Sequence, residues 1–105
     1  MSESRITYNG ALVLQALARG LRYGFEIMDL TALPSGTVYP ILRRFEHGGL
    51  VRSSWEETEA AHEQGRPRRR YYRLTAAGES ALARAVERFR AHERVFADAP
   101  SPGSR

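Results

Sequence analysis

Two residue types, cysteine and lysine, are missing from this 105-residue sequence, and their absence narrows the classes of protein that it can encode. There is no cysteine, which excludes disulfide bonds and thiolate metal sites. No apolar run approaches the roughly 20 residues that a membrane-spanning helix needs. The N-terminal stretch MSESRITY lacks the pattern of a signal peptide. We therefore expect a cytoplasmic protein without a membrane partner.

Lysine is absent as well, so all 16 basic residues are arginines. This bias is typical of a GC-rich genome. It also has a physical consequence, because a guanidinium group makes planar, bidentate contacts with phosphates and bases. The formal net charge is +4 and the isoelectric point is about 10.1. Such a charge indicates an anionic partner without naming one.

No set of side chains in the sequence indicates catalysis or a bound cofactor. The histidines His47, His62 and His92 are too scattered for a metal site. No Ser/His/Asp set, carboxylate pair or phosphate-binding loop stands out. We therefore expect neither an enzyme nor a metal or cofactor site.

Capping residues and apolar spacing predict three helices in the first half of the chain. Thr7 can cap a first helix that ends near Arg19, where Gly20 is a stop signal. A second, shorter helix is predicted over residues 23–30. The third contains apolar residues at i, i+3, i+4 and i+7, which share one face: Val38, Ile41, Leu42 and Phe45.

Two features set the expected limits of this third helix. Proline belongs in the first turn, so Pro40 favours a start with Thr37 as the cap. Gly48 and Gly49 should end the helix.

The second half of the chain predicts a β-hairpin followed by a long helix. Strands are expected over 50–57 and 69–74, joined by a polar loop over about 59–67. We expect Trp55 to pack over the body, and one tyrosine of Tyr71 and Tyr72 to lie in the core. Thr75 can cap a helix that runs to about Phe96.

The order helix, helix, helix, hairpin, helix is that of a winged helix-turn-helix. The predicted fold is therefore mainly α with a small β-hairpin. We expect a DNA-binding domain over residues 1–74, a dimerisation helix over 75–97 and a disordered tail over 98–105.

In a helix-turn-helix, the helix after the turn enters the major groove with its first residues at the base edges. Small and hydroxyl-bearing residues suit that position, and arginines one turn later suit the flanking phosphates. The candidates for contact with double-stranded DNA are Ser35, Gly36, Thr37, Tyr39, Arg43 and Arg44. The alternative is that the two arginines belong to a solvated helix face.

The segment around the second predicted strand is rich in arginine. Five arginines fall between Arg66 and Arg73. A narrow minor groove attracts inserted arginine, so the predicted contacts of the hairpin with DNA are Arg66, Arg68, Arg69 and Arg70. The alternative is pairing with the preceding glutamates across the hairpin, although the arginines exceed what those glutamates can neutralise.

The last predicted helix has an apolar stripe that a small domain cannot cover. Its members, with steps of 4, 3 and 7 residues interrupted only by Glu93, are Leu82, Val86, Phe89 and Phe96. They predict a homodimer interface. A two-fold dimer would present two recognition helices to successive major grooves of a pseudo-palindromic site. The alternative is that the helix folds entirely onto its own domain.

Four segments, YGFEIM, PSGTVYPILRRFEHGGLV, SSWEE and RRRYYRLTAAG, together resemble the PadR-type transcriptional regulators over about residues 10–90. YYRLTAAG alone also resembles MarR-like proteins. The resemblance implies a homodimeric repressor, often released from its operator by a small-molecule effector, in the shorter branch with one C-terminal helix. It assigns Ser35, Thr37, Tyr39 and Arg43 to the DNA groove, and residues 68–70 to the hairpin contact.

The sequence also departs from that family's pattern. The family usually has His-Gly-Tyr where this chain has Tyr23, Gly24 and Phe25, so Tyr23 is a further candidate for contact with the DNA backbone. Some members line a drug pocket with a tryptophan of the last helix, which this chain lacks. Two other functions suit the same fold: a protein–protein interaction module without DNA specificity, and an architectural DNA binder.

Overall fold

The computed structural model describes residues 5–98, in which five helices surround a two-stranded antiparallel sheet. The elements in chain order are α1 (Tyr8–Ala18), α2 (Gly24–Thr31), α3 (Ser35–His47), β1 (Val51–Trp55), α4 (Thr58–Glu63), β2 (Arg70–Leu74) and α5 (Ala76–Asp98). This architecture confirms the predicted fold class.

The first helix begins and ends where its capping residues predict. The Thr7 hydroxyl accepts a hydrogen bond from the Gly10 amide at 3.0 Å, and Gly20 follows the helix with a φ of +96°. Helix α2 begins one residue later than predicted. The Glu26 carboxylate accepts the amides of Arg22 and Tyr23 at 3.0 and 3.1 Å. These hydrogen bonds lower the pKa of Glu26 and hold the start of α2 in place.

The prediction that Thr37 caps the third helix is wrong. Helix α3 already begins at Ser35, because the Pro34 carbonyl accepts the amides of Thr37 and Val38 at 2.9 and 3.0 Å. Pro40 therefore lies inside the helix, at a cost of about 3 kcal/mol. Four buried apolar side chains of α3, each contributing about 1.5–3 kcal/mol, outweigh this cost. The helix ends at His47, and Gly48 and Gly49 follow it, as predicted.

The hairpin has the predicted direction, with Val51 opposite Leu74 and Trp55 opposite Arg70. Its connection contains a short helix, α4, where we expected only a loop. Ala61 of α4 is buried, and the chain turns back at Gly65 with a φ of +66°. A helix of six residues is too short to give a periodic apolar pattern, which is why the sequence did not predict it. We call the hairpin and its connection, residues 51–74, the wing.

The core lies between α1, α2, α3 and the start of α5. Its buried residues are Val13, Leu14, Ala16, Leu17, Ile27, Val38, Ile41, Leu42, Phe45, Val51, Tyr72 and Leu82. One tyrosine of the pair lies in the core, as the strand alternation predicted; it is Tyr72, and Tyr71 is half-buried. The first turns of α5 also contribute to this core, through Leu82. A domain boundary at residue 74 stays a prediction.

The start of α5 is fixed by Thr75. Its hydroxyl accepts the Gly78 amide at 3.0 Å and donates to the Gly49 carbonyl at 2.7 Å. The helix packs along α1 and continues to Asp98, which we had assigned to the tail. The rest of that predicted disordered tail, residues 99–105, lies outside the described residues. Within the described part, no helix is long and apolar enough to cross a membrane.

Candidate nucleic-acid interface

A groove lies between helix α3 and the wing. Its lining residues come from the last two and a half turns of α3 and from both strands of the wing: Tyr39, Arg43, Glu46, His47, Trp55, Arg70 and Tyr72. The groove exists because α3 turns its apolar face to the core, which leaves its polar face beside the hairpin.

The predicted recognition residues lie on the outer face of α3 and in its first turn. Ser35, Gly36, Arg43 and Arg44 are exposed, and Tyr39 is 39% exposed. Thr37 is half-buried. The structure thus leaves most of these residues accessible and brings Tyr39 and Arg43 to the groove, and their contact with DNA stays a prediction.

Tyr39 is held by a residue that the sequence did not single out. Its ring rests on the backbone of Gly24, so closely that a Cβ there would lie 2.3 Å from the Tyr39 hydroxyl oxygen. Only glycine leaves room for this approach. A glycine at the first position of a helix, where it has poor helix propensity, was the available signal.

The structure gives Arg66 a role within the wing, in contrast to the predicted contact with DNA. Its guanidinium forms a bidentate ion pair with Glu56, at 2.5 and 2.7 Å, and its side chain is only 18% exposed. Glu56 also accepts the Arg69 amide at 3.2 Å. The Arg66 guanidinium is the main cause that lowers the pKa of Glu56 to about 2. The pair therefore closes the connection between the two strands.

Arg69 joins the wing to helix α2. Its guanidinium lies 5.2 Å from the ring centre of Tyr23 and 4.8 Å from that of Phe25. These two rings are stacked, and Tyr71 meets Tyr23 edge-on at 5.7 Å. Arg69 and Tyr23 are both half-buried in this cluster. Their predicted contacts with DNA stay predictions, and the structure shows that they contact each other.

Arg68 and Arg70 are the exposed pair among the four predicted wing arginines. Each guanidinium lies 5.3 Å from the ring centre of Trp55. The expectation that Trp55 packs over the body is wrong, since its side chain is 51% exposed. Along one face of β1, Val51 is buried, Ser53 is half-buried and Trp55 is exposed, because the strand runs beyond the edge of the domain.

A hydrogen-bonded network links the wing to α3 at the floor of the groove. The Ser53 hydroxyl donates to Glu46 at 2.5 Å, and the Arg70 guanidinium donates to Ser53 at 3.0 Å and to Glu46 at 3.2 Å. The Ser53 hydroxyl is the main cause that lowers the pKa of Glu46. The network holds Arg70 beside the outer face of α3.

The predicted dimer residues have very different environments along α5. Leu82 is only 8% exposed and belongs to the core of its own domain, which leaves it little surface for a partner. Val86 packs against that core, and Phe89 meets Tyr8 edge-on at 5.3 Å. Phe96 is 80% exposed. Tyr8 and Val95, which the prediction omitted, are 61% and 67% exposed.

Among residues 5–98, no cluster of three or more histidine or acidic side chains could hold a metal ion. The surface that the structure does assemble is cationic and aromatic, with Arg43, Arg68 and Arg70 around one groove.

Comparison with known proteins identifies this arrangement. Residues 13–84 match the transcriptional regulator PadR-like family. A crystal structure of a PadR family transcription regulator from Clostridium difficile has 27% identity and a TM-score of 0.74, and covers 86% of this chain and 95% of that one. A PadR-like transcription factor from Bacteroides fragilis has 26% identity and a TM-score of 0.69, with 86% and 88% covered.

A likeness of fold alone extends further. The PcaV transcriptional regulator from Streptomyces coelicolor, solved with its natural ligand, has a TM-score of 0.76 at 22% identity, with 96% of this chain and 68% of that chain covered. A search of the curated proteins finds no significant match.

Proposed function

The chain belongs to the PadR-like family of transcriptional regulators, and on this premise we propose that it is a homodimeric repressor that occupies a pseudo-palindromic operator. The observation that carries the proposal is the groove between α3 and the wing, which brings Tyr39, Arg43 and Arg70 to one accessible surface. A dimer bound across a promoter would block the access of RNA polymerase and so repress transcription. A cytoplasmic location follows from this function.

Two kinds of contact with DNA are expected at the groove, one that provides sequence discrimination and one that provides affinity. The start of α3, from Ser35 to Tyr39, would meet base edges and read the sequence. The exposed arginines Arg43, Arg68 and Arg70 would meet phosphates. Each phosphate neutralised releases counterions and adds about 0.9 to the slope of log affinity against log salt. Affinity should therefore depend steeply on salt, and discrimination between sequences should depend on α3.

The exposed apolar residues at the end of α5 support the dimer. In the single chain, three large apolar side chains are mostly exposed to water: Tyr8 of α1 at 61%, and Val95 and Phe96 of α5 at 67% and 80%. Exposed apolar surfaces commonly mark a protein interface. A second copy that covers these side chains through a two-fold axis would set two α3 helices about 34 Å apart, one turn of DNA.

Release by a small-molecule effector completes the proposal. Its support is limited to the fold: PcaV was solved with a natural ligand, and the DNA binding of BpsR from Bordetella bronchiseptica is regulated by 6-hydroxynicotinic acid. Small aromatic acids are therefore the first compounds to screen against the protein–DNA complex.

Fluorescence anisotropy would test the proposal directly. The labelled duplex would come from upstream of the protein's own gene, with a scrambled duplex as reference, at two salt concentrations. We expect tight, salt-dependent binding to the native duplex alone. Equal binding to both would indicate an architectural binder, and no binding to either at low salt would indicate a protein interaction module.

Variants would separate the two kinds of contact. Tyr39→Ala should reduce discrimination between the two duplexes, whereas Arg43→Ala should weaken binding to both and lower the salt slope by about 0.9. Arg94→Ala is the matched control. It removes the same charge from an exposed position of α5, about 160° around the helix from Phe96. A loss with Arg94→Ala equal to that with Arg43→Ala would refute the role of the groove.

A further inference from the structure

We propose that Trp55 is a positioning residue for DNA binding, which holds the guanidinium groups of Arg68 and Arg70 at the groove before DNA arrives. The inference rests on the proposed function and adds a residue that the function alone does not require. An exposed tryptophan at the tip of β1 has no role in the core, and its ring instead contacts two cations.

The geometry makes Trp55 the one contact that the two arginines share. Arg70 lies directly across the hairpin from Trp55, and Arg68 lies two residues before Arg70 in the chain. Both guanidinium carbons are 5.3 Å from the ring centre, within the range of a cation–π interaction. Each arginine has a different second contact: Arg68 donates to the Thr58 hydroxyl at 3.3 Å, and Arg70 donates to Ser53 and Glu46.

The chemistry of the guanidinium explains why this contact favours DNA binding. An arginine that binds a phosphate loses the freedom of a long side chain, and prior restraint reduces that loss. A guanidinium that meets a ring with its face keeps its N–H donors, which lie in its plane, available to an anion. A carboxylate partner has the opposite effect, because it occupies donors: Glu56 accepts from both Nη1 and Nη2 of Arg66, whereas Glu46 accepts from Nη2 of Arg70.

The surroundings of the other wing arginines strengthen the assignment. Arg66 is committed to Glu56, and Arg69 is half-buried over Tyr23 and Phe25. Arg68 and Arg70 are exposed and lie over the one exposed ring of the wing strands. Of the four arginines predicted to contact DNA, the two that stay exposed therefore both lie over Trp55. Arg52 and Arg73, which are opposite each other across the hairpin, are exposed as well.

The test is a double-mutant cycle in the anisotropy assay. Trp55→Ala should weaken binding to native DNA about 5- to 150-fold, because two long arginine side chains must then be ordered when DNA binds. Trp55→Phe should restore part of the affinity, because a smaller ring still attracts cations. In the background Arg68→Ala/Arg70→Ala, the further change Trp55→Ala should have little effect. Leu30→Ala, which shortens an exposed apolar side chain of α2, is the control for general surface effects.

Two further readouts separate positioning from a structural role. All variants should keep the thermal midpoint of the wild type within a few degrees, since Trp55 is half exposed. NMR relaxation of the Nε–H groups, measured without DNA, should show Arg68 and Arg70 becoming more mobile in Trp55→Ala. The salt slope should also fall in Trp55→Ala, although its charge is unchanged, by up to about 1.8 for two phosphates.

The possible outcomes distinguish the inference about Trp55 from the proposed function. The inference is overturned, and the proposed function stands, if the wild type binds DNA and Trp55→Ala binds it equally well. The same conclusion follows if Trp55→Ala lowers the affinity as much in the background Arg68→Ala/Arg70→Ala as in the wild type. If the wild type binds no DNA, the proposed function fails, and the NMR measurement alone decides whether Trp55 restrains the arginines. Loss of affinity confined to the background that contains both arginines supports the inference.

Discussion

Replacement of Gly24 by alanine would test whether the contact between Gly24 and Tyr39 positions Tyr39 for the proposed contact with DNA. A Cβ at residue 24 would lie 2.3 Å from the Tyr39 hydroxyl oxygen and 2.5 and 2.6 Å from Cζ and Cε1 of its ring. Ordinary van der Waals contact begins at about 3.4 Å, so the end of the phenol must move by about 1.1 Å. Because Tyr39 is 39% exposed, it can rotate towards solvent.

The expected result is a loss of DNA recognition with little loss of stability. Alanine favours a helix over glycine by up to about 1 kcal/mol, which offsets part of the cost of displacing the ring. A well-placed side-chain contact with a base contributes about 1–3 kcal/mol of discrimination. Gly24→Ala should therefore weaken binding to the native duplex about 5- to 150-fold, and binding to the scrambled duplex much less.

The measurement is anisotropy with the wild type, Gly24→Ala, Tyr39→Ala and the double variant. If Gly24 acts through Tyr39, the double variant should bind like Tyr39→Ala alone. Gly48→Ala is the matched control, because residue 48 has helical dihedrals and a Cβ there would lie 3.5 Å from its nearest neighbour. Wild-type affinity in Gly24→Ala, or additive losses in the double variant, would refute the reasoning.

Three further predictions concern stability and assembly. The pKa of Glu56 is about 2 in the folded protein against an ordinary 4.5. Its ion pair therefore contributes fully to stability above about pH 4.5, and this contribution is lost as the pH falls towards 2. Thermal melts across that range should show a weaker pH dependence for Glu56→Gln than for the wild type. Gly78→Ala places a Cβ 2.1 Å from the Leu50 carbonyl oxygen, which cannot rotate away; we expect a loss of about 1–3 kcal/mol in denaturant unfolding, and an unchanged midpoint would contradict the packing. Phe96→Ser should give a monomer in sedimentation velocity with weaker DNA binding and unchanged domain packing, because Phe96 is 80% exposed; a persistent dimer would argue against this surface.

Local signals predicted the elements of this fold well. Thr7 and Thr75 cap the helices that they were expected to cap, and the spacing of apolar residues identified the buried face of α3. Such signals act over three or four residues, so they are visible in the sequence. The start of α3 was missed because Pro40 violates a local rule, and burial of the apolar face outweighs that rule.

Local signals failed where partners are distant along the chain. Trp55 and Tyr72 are both aromatic residues of the wing strands, yet one is exposed and the other buried. The difference arises because the hairpin extends past the edge of the core, and the position of that edge is set by α1 and α3. Likewise, Gly24 is 15 residues from Tyr39, and their contact depends on the angle between two helices.

By itself, the sequence determined the order of the helices and strands other than α4, the buried face of α3 and an arginine-rich wing, because these depend on composition and short-range spacing. Only the tertiary structure decided what each arginine does. Residues 66, 68, 69 and 70 carry the same side chain within one short segment, so no local pattern distinguishes them. Glu56 pairs with Arg66, the rings of Tyr23 and Phe25 lie against Arg69, and the Trp55 ring lies against Arg68 and Arg70. These neighbours are brought together by strand pairing and helix packing, and they give identical side chains different environments: Arg66 and Arg69 are half-buried, whereas Arg68 and Arg70 are exposed.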